Sequence, residues 1–430
     1  MHKNQKFMLQ IQLIRQNKQL VIDGLKKKNF KHLELVDEIL YCDEQRRNLQ
    51  VENDTLKAFI NNASTNIGKL MKTNMVEADL LKREVLLNKS IIDNIAAKIE
   101  EVEKELHDKL ILLPNLPNEA VPFGKTPEEN ETVSLWGELP YSTDKLPHWE
   151  LMTKYGLMDN ELGNKITGAG FPVLMGQGAK LQRSLIQYFL DFNTNAGYKE
   201  FCPPFMVNEA SAYGTCQLPD KEGQMYYATA DNLYLVPTAE IPLTNIHRND
   251  IIKESDLPLK LTAYSPCFRR EAGSYGKDVR GLNRVHQFDK VEIVQIAHPD
   301  NSYELLKAMT IHVEDLLQSL ELPYRILRLC GGDMSFASAI TYDFEVYSAG
   351  QQRWLEVSSV SNFETFQSNR MKIRYKGEQK GDKTQLVHTL NGSALALPRI
   401  IACLLENNQT PDGILIPKAL QPYFGKAIIN

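Results

Sequence analysis

Cys267-Phe268-Arg269-Arg270-Glu271, a glycine-bearing loop over 272–281, and then Asn283-Arg284-Val285-His286-Gln287-Phe288-Asp289-Lys290-Val291-Glu292 form the densest polar stretch of the sequence. Both flanks of the loop read as β-strands, so the stretch is a hairpin with a basic, flexible connection. An arginine fork grips a phosphate through paired N–H donors, and a phenylalanine face stacks on a purine. The hairpin is therefore either a nucleotide grip or a solvated turn with ordinary ion pairs, and its surroundings must decide.

Outward from the hairpin, 234–236, 259–264, 291–296, 342–347 and 353–358 read as strands, the last two joined by a loop over 348–352. Residues 182–193 read as a helix with Leu185, Ile186, Phe189 and Leu190 on one face. Strands following one another without intervening helices indicate an antiparallel sheet flanked by helices, an α+β domain. The sequence has no GxxxxGK[ST] and no strand-linked GxGxxG, so a nucleotide must be held by side chains on a sheet.

The first hundred residues differ. Leu35, Ile39, Cys42, Arg46, Leu49, Asn53, Leu56, Ile60, Ala63, Ile67 and Leu70 follow heptad spacing, and nine of these eleven are apolar. A second run comprises Leu81, Val85, Asn88, Ile92, Ile95, Ile99, Val102 and Leu106, after a break at Lys72, Thr73 and Asn74. Two such helices joined by a tight connection lie antiparallel. At 1.5 Å per residue, each is roughly 60 Å long. Between Gly24 and Leu110 there are 15 Lys or Arg against 16 Asp or Glu, so the arm is not a uniformly basic rod. Pattern alone also fits a dimerisation coiled coil or a spacer. The expected organisation is an N-terminal helical arm over 1–112, a linker over 113–134 marked by Pro114, Pro117, Pro122 and Pro127, and a catalytic domain over 135–430.

Composition sets limits. The 430 residues are 43% hydrophobic and 24% charged with a net charge of −5, and exceed one ordinary core. Polar residues interrupt positions 1–20, which excludes a signal h-region or a membrane span there and points to the cytoplasm. The six cysteines are scattered without CxxC spacing, so neither a disulfide framework nor structural zinc is expected. Any RNA must be met by local basic patches.

The pattern Phe268-Arg269-x-Glu271, loop, Arg284-x-His286-Gln287-Phe288 resembles motif 2 of the class II aminoacyl-tRNA synthetases. Asn391-Gly392-Ser393-Ala394-Leu395-Ala396-Leu397-Pro398-Arg399 resembles their motif 3, and Pro204 within Pro203-Pro204-Phe205-Met206-Val207-Asn208 their motif 1. Singly these are loose, but three in order are specific. Thr238-Ala239-Glu240, Glu356-Val357-Ser358-Ser359 and the helical hairpin are similar to bacterial-type seryl-tRNA synthetases, a resemblance covering the chain from about Met8 and leaving residues 1–7 outside.

The resemblance implies an ATP-dependent ligase that forms seryl-adenylate and seryl-tRNA. Arg269 is expected at the α-phosphate, Glu271 at the adenine edge, Phe288 on its face with Val285 beside it, and Arg399 at the γ-phosphate. Arg270, Val357 and Ser358 are expected in the ATP site too, with Glu356 and Ser359 at Mg²⁺, a hard cation that favours oxygen ligands. L-Serine is expected against Thr238, Ala239, Glu240, Glu292 and Ser393. Arg269, Arg399 and Glu356 are the implied catalytic residues. Read alone, Glu292 in its Val-x-Ile-Val-x-Ile run would face solvent, Ser393 would be a turn residue, and Thr238 to Glu240 a helix start; His286 and His388 are assigned nothing. The family further implies a homodimer, no zinc in the serine site, and an arm that reaches tRNA(Ser), and tRNA(Sec) where the organism has it. Lys26, Lys27, Lys28, Arg46, Arg47, Lys82 and Arg83 are its candidate phosphate contacts. Competing readings are a synthetase-like paralogue without ligase activity, a coiled-coil interaction protein, and a sister ligase for threonine or proline.

Overall fold

The computed structural model describes residues 9–140, 144–220, 223–271, 280–379 and 381–430. Residues 1–7 and most of the 272–281 loop lie outside them. The chain forms two compact units, one of residues up to Lys26 with Phe30–Pro114, the other of Lys27–Asn29 with Asn115–Asn430.

In the first unit, helices α1 (Leu35–Leu70) and α2 (Met75–Leu110) pack along the two heptad runs. Ile39, Cys42, Asn53 and Ala63 of α1 and Val85, Ile95 and Leu106 of α2 are buried, all at expected seam positions. The turn stops one helix and starts the next through Asn74, whose side chain accepts the Glu77 N–H at 3.3 Å as an N-cap. Asp43, off the heptad, is buried among Arg15, Arg46 and Arg47 at 2.9, 3.0 and 3.1 Å. Three arginines share this one carboxylate and the Arg47 side chain is 47% exposed, so the pairing leaves positive charge on the arm.

In the second unit, eight strands among the described residues form one sheet: β1 (Glu131–Trp136), β2 (Lys199–Glu200), β3 (Leu259–Phe268), β4 (Gln287–Ala297), β5 (Tyr324–Arg328), β6 (Ile340–Ser348), β7 (Arg353–Asn362) and β8 (His388–Ala396). Their order is β1-β5-β6-β7-β8-β4-β3-β2, antiparallel except between β2 and β3. Because β1 pairs with β5 from Glu131, the sheet begins inside the segment expected to be linker.

Alternation sorts the side chains. Val291, Ile293, Phe344, Val357 and Val360 point into one large core beneath the helices Gly176–Asn195, Ser302–Ser319 and Leu397–Asn407. On the opposite face, Val294, Ile296, Leu261 and Ala263 are roofed by Ala239 and Leu243 of the helix region Glu240–Asn245. A strand covered on both faces reads as a continuous apolar run, which is why β4 gives no clean alternation. No helix among the described residues is long and apolar enough to cross a membrane.

Lys28 is buried, its ammonium donating to the Ser338 carbonyl at 2.7 Å, and burial lowers its pKa to about 7. Lys27 donates to the carbonyls of Asn118 and Glu119. Buried as it is, Lys28 does not fit the expected phosphate contact, whereas Lys27 and Lys82, the latter beside Asp79, stay partly exposed.

Candidate active site

The partly roofed face of β3, β4, β8 and β7 gathers the residues singled out from the sequence. Arg269 follows the end of β3, Glu292 lies in β4, Ser393 in β8, Glu356 in β7, and Arg399 in the first turn of the helix after β8. Glu292 and Ser393 are register partners, beside a point where β8 carries an extra residue relative to β4. Such bulges re-aim side chains at the rims of sites. The Ser358 hydroxyl donates to the Ser393 carbonyl at 2.6 Å, tying β7 to β8.

Thr238, Ala239 and Glu240 reach this face because the preceding segment is laced to β3. The Phe268 N–H donates to the Val236 carbonyl at 2.9 Å, and Arg269 Nε to the Pro237 carbonyl at 3.4 Å. The Thr238 hydroxyl then accepts the Glu240 N–H at 3.2 Å as the short helix begins. Glu240 and Glu292 are both buried. Glu240 Oε1 accepts from Gln367 Nε2 at 2.7 Å, and Glu292 Oε1 from Asn391 Nδ2 at 3.1 Å. The Lys290 ammonium lies 2.8 Å from Glu292 Oε2, off the direction of a hydrogen bond, so the contact is an ion pair.

Burial pushes the Glu240 carboxyl up to about 7, helped by the charge of Glu292 and opposed by Gln367, Lys290 and Arg269. Burial also raises Glu292, against the pull of Lys290 and Arg269. For both carboxylates burial is the leading cause, and the charges of Lys290 and Arg269 only partly offset it.

At the nucleotide end, the Arg269 guanidinium lies over the Phe288 ring at 5.3 Å. Glu271 pairs with Arg284 at 3.0 Å. Val285 and Phe288, with Leu282, Gln287, Asp289 and Pro398, line a cavity of about 250 Å³. Arg399 donates to the Glu356 carbonyl oxygen at 2.7 Å, and its guanidinium stands 3.5 Å from the Glu356 carboxylate. The Ser359 hydroxyl donates to Asp343 Oδ1 at 2.5 Å and lies 3.4 Å from Glu356 Oε1. Burial first, then the Glu356 charge, holds the Asp343 carboxyl well above the usual range.

Three expectations change in detail. Val357 points into the core, so only its main chain faces the site. The Ser358 hydroxyl is spent on Ser393. Arg270 is engaged away from Arg269, donating to the Met225 carbonyl at 3.1 Å and covering the Tyr226 ring at 4.8 Å. Glu292, ambiguous as sequence, is fully buried. Lys290, Asn391, Gln367 and Asp343 were not singled out. Lys290 and Asn391 sit two residues from Glu292 and Ser393, on the same faces of their strands, a signal that period-two reading offers; Gln367 and Asp343 carry no local one.

Comparison with known proteins agrees with both units. Residues 8–117 match the model for the seryl-tRNA synthetase N-terminal domain, and residues 226–408 the tRNA synthetase class II core domain (G, H, P, S and T). A serine–tRNA ligase from Salinibacter ruber is 47% identical over 98% of this chain and 99% of its own length. One from Methylacidiphilum infernorum is 48% identical over 97% and 99%. The crystal structure of seryl-tRNA synthetase from Pyrococcus horikoshii complexed with ATP superposes with a TM-score of 0.93, at 34% identity and covering 98% of this chain and 99% of that one. With the motif residues gathered on one face of an antiparallel sheet and the helical hairpin ahead of it, this chain belongs to the seryl-tRNA synthetase family of class II aminoacyl-tRNA synthetases.

Proposed function

We propose that the chain joins L-serine to tRNA(Ser) in two steps at the face described above. The serine carboxylate oxygen attacks the α-phosphorus of ATP, the bond to the β-phosphate breaks, and pyrophosphate leaves. A ribose hydroxyl at the 3′ end of tRNA then attacks the acyl carbon and AMP leaves. No general base is needed for the first step, because the serine carboxylate is ionised at pH 7. What remains is to neutralise phosphate charge and align the reactants.

Arg269 is assigned to the α-phosphate, Phe288 and Val285 to the adenine ring, Glu271 to its edge and Arg399 to the γ-phosphate. The serine ammonium and hydroxyl are assigned to Glu240 and Glu292, with Thr238, Ala239 and Ser393 as walls. The observation that carries this reading is the buried Glu240 and Glu292 pair beside Arg269: a small, desolvated carboxylate site next to a cationic phosphate grip. Alanine would leave a buried acceptor unpaired and is refused strongly, whereas threonine is refused by volume, worth only about 1–3 kcal/mol.

Magnesium fits the oxygen set of Glu356 and Ser359, and the raised Asp343 beside them marks negative charge without enough compensation. Mg²⁺ is commonly held by one or two carboxylates together with substrate phosphates. Bound there, it would neutralise phosphate charge. The arm is assigned to tRNA, with tRNA(Sec) a second substrate where it exists, and the enzyme to a cytoplasmic homodimer, on the strength of the family.

Amino-acid-dependent exchange of pyrophosphate into ATP tests the reading. Serine should drive exchange, alanine and proline should not, and threonine should do so only weakly. Exchange driven best by threonine or proline would move the chain to a sister specificity, and none at all would favour a non-ligating paralogue.

A further inference from the structure

His148 opens the short helix His148–Lys154 and is fully buried, outside every motif considered so far. Its Nε2 accepts the Leu282 N–H at 2.9 Å. An amide can only donate, so Nε2 carries no proton and Nδ1 does. Nδ1 in turn donates to Glu406 Oε1 at 2.7 Å. Glu406, also fully buried, lies at the far end of the helix Leu397–Asn407 whose first turn carries Arg399.

Glu406 also accepts the His148 N–H at 2.9 Å, the Gly350 N–H at 3.1 Å, Gln351 Nε2 at 3.0 Å and the Ser348 hydroxyl. Burial works to raise this carboxyl, and the bonds from His148 and Ser348 more than offset it, leaving it below the usual range. Gln351 Oε1 accepts from Asn283 Nδ2 at 2.9 Å, and the Asn283 main-chain carbonyl accepts from Arg399 Nε at 3.3 Å. Even Gly281 fits this arrangement: a Cβ there would stand 2.2 Å from His148 Nε2.

The contacts close a circuit from Arg399 through its own helix to Glu406, on to His148 and Gln351, and back through Leu282 and Asn283 to Arg399. We propose that His148 and Glu406 are positioning residues for ATP: they hold the Leu282–Asn283 backbone in place, and that backbone sets the Arg399 guanidinium and the adjacent Val285. The serine-facing groups Thr238, Glu240, Glu292 and Ser393 make none of the contacts in this circuit. The inference rests on the ATP roles proposed above for Arg399 and Val285, but its test stands apart from amino-acid specificity.

Three substitutions dissect the ring. Asparagine places a donor near the Nδ1 position but nothing near Nε2; glutamine places an acceptor near Nε2; phenylalanine keeps the volume and loses both bonds. In the full chain, H148N and H148F should raise the ATP KM of serine-dependent exchange about tenfold or more, the scale seen when a supporting shell is loosened. The serine KM should stay within about twofold, and H148Q should recover much of the ATP affinity. Gln351→Met, which breaks the same circuit while keeping the imidazole and its bonds to Leu282 and Glu406, supplies the reading if H148F fails to fold. Direct ATP titration by calorimetry reports the same ordering without serine, so an inactive wild type would overturn the ligase reading and leave this one measurable. Loss of thermal stability with both KM values unchanged, or ATP and serine KM rising together, would overturn the inference.

Discussion

Lowering the pH from 8 to 6 should weaken serine binding about tenfold through Glu240 alone. The carboxyl is pushed up to about 7 by burial and by Glu292. With that midpoint, roughly nine tenths of Glu240 is ionised at pH 8 and about one tenth at pH 6. The serine ammonium stays protonated throughout, so the fraction of enzyme with a charged partner for it falls about tenfold, and the serine KM rises by that factor. The sign for stability is opposite. A carboxyl whose folded pKa is raised from 4.5 to about 7 costs nothing below pH 4.5, and its cost is fully present above pH 7. That cost is on the order of 3 kcal/mol by the usual conversion of pKa into free energy. Glu240→Gln should therefore melt higher than the wild type at pH 8 without serine, lose that advantage by pH 5, and bind serine poorly at every pH. The assay is pyrophosphate exchange at saturating ATP and Mg²⁺ across pH 6–8, beside melting curves of the empty protein. A wild-type serine KM flat over this range would refute the reasoning.

Lys290→Met strips the partner from a fully buried Glu292 and should cost about 3–5 kcal/mol, the range for breaking a buried ion pair; the drop in melting temperature should be larger at pH 8 than at pH 6, and an equal drop at both would count against it. Adding Glu292→Gln to that variant should restore much of the stability but not the activity. Glu356→Gln should raise the Mg²⁺ concentration for half-maximal exchange about tenfold with serine KM unaffected; an unchanged Mg²⁺ requirement would remove Glu356 from that role. Deletion of the arm from Leu35 to Leu106 should spare exchange and abolish charging of tRNA, and equal loss of both steps would break the division of labour.

The helical arm was legible because its burial has a period of its own: Ile39, Cys42, Asn53, Ala63, Val85, Ile95 and Leu106 fall where 3.5-residue spacing places them. The sheet was legible as strands but not in its order, since β1, β5, β7 and β8 meet partners distant in sequence, and no local pattern encodes such pairing. Glu292 misled as sequence because a strand roofed on both faces offers no polar side to compare it with. Lys28 looked like a phosphate contact because charge is visible in a sequence while burial is not: its ammonium is spent on the Ser338 carbonyl. His148 gave no signal, since its two bonds run to residues more than a hundred positions away.

The two ends of the site differ in their access to water, and their tasks differ accordingly. Glu240 and Glu292 are buried where the Glu240–Asn245 helix meets the sheet, whereas the Glu356 side chain is 48% exposed and that of Arg399 29%. In a dry pocket an unpaired acceptor has no water to fall back on, so a missing hydroxyl or ammonium is penalised in full, and selectivity rests on desolvation already built into the fold. At the open end the same charges are screened, each contact is weak, and binding must come from several grips acting together on a polyanion that carries its own cation. A site needing only to hold ATP tolerates exposure provided its grips are fixed relative to each other. That demand falls on the buried His148 and Glu406 circuit rather than on the residues touching phosphate.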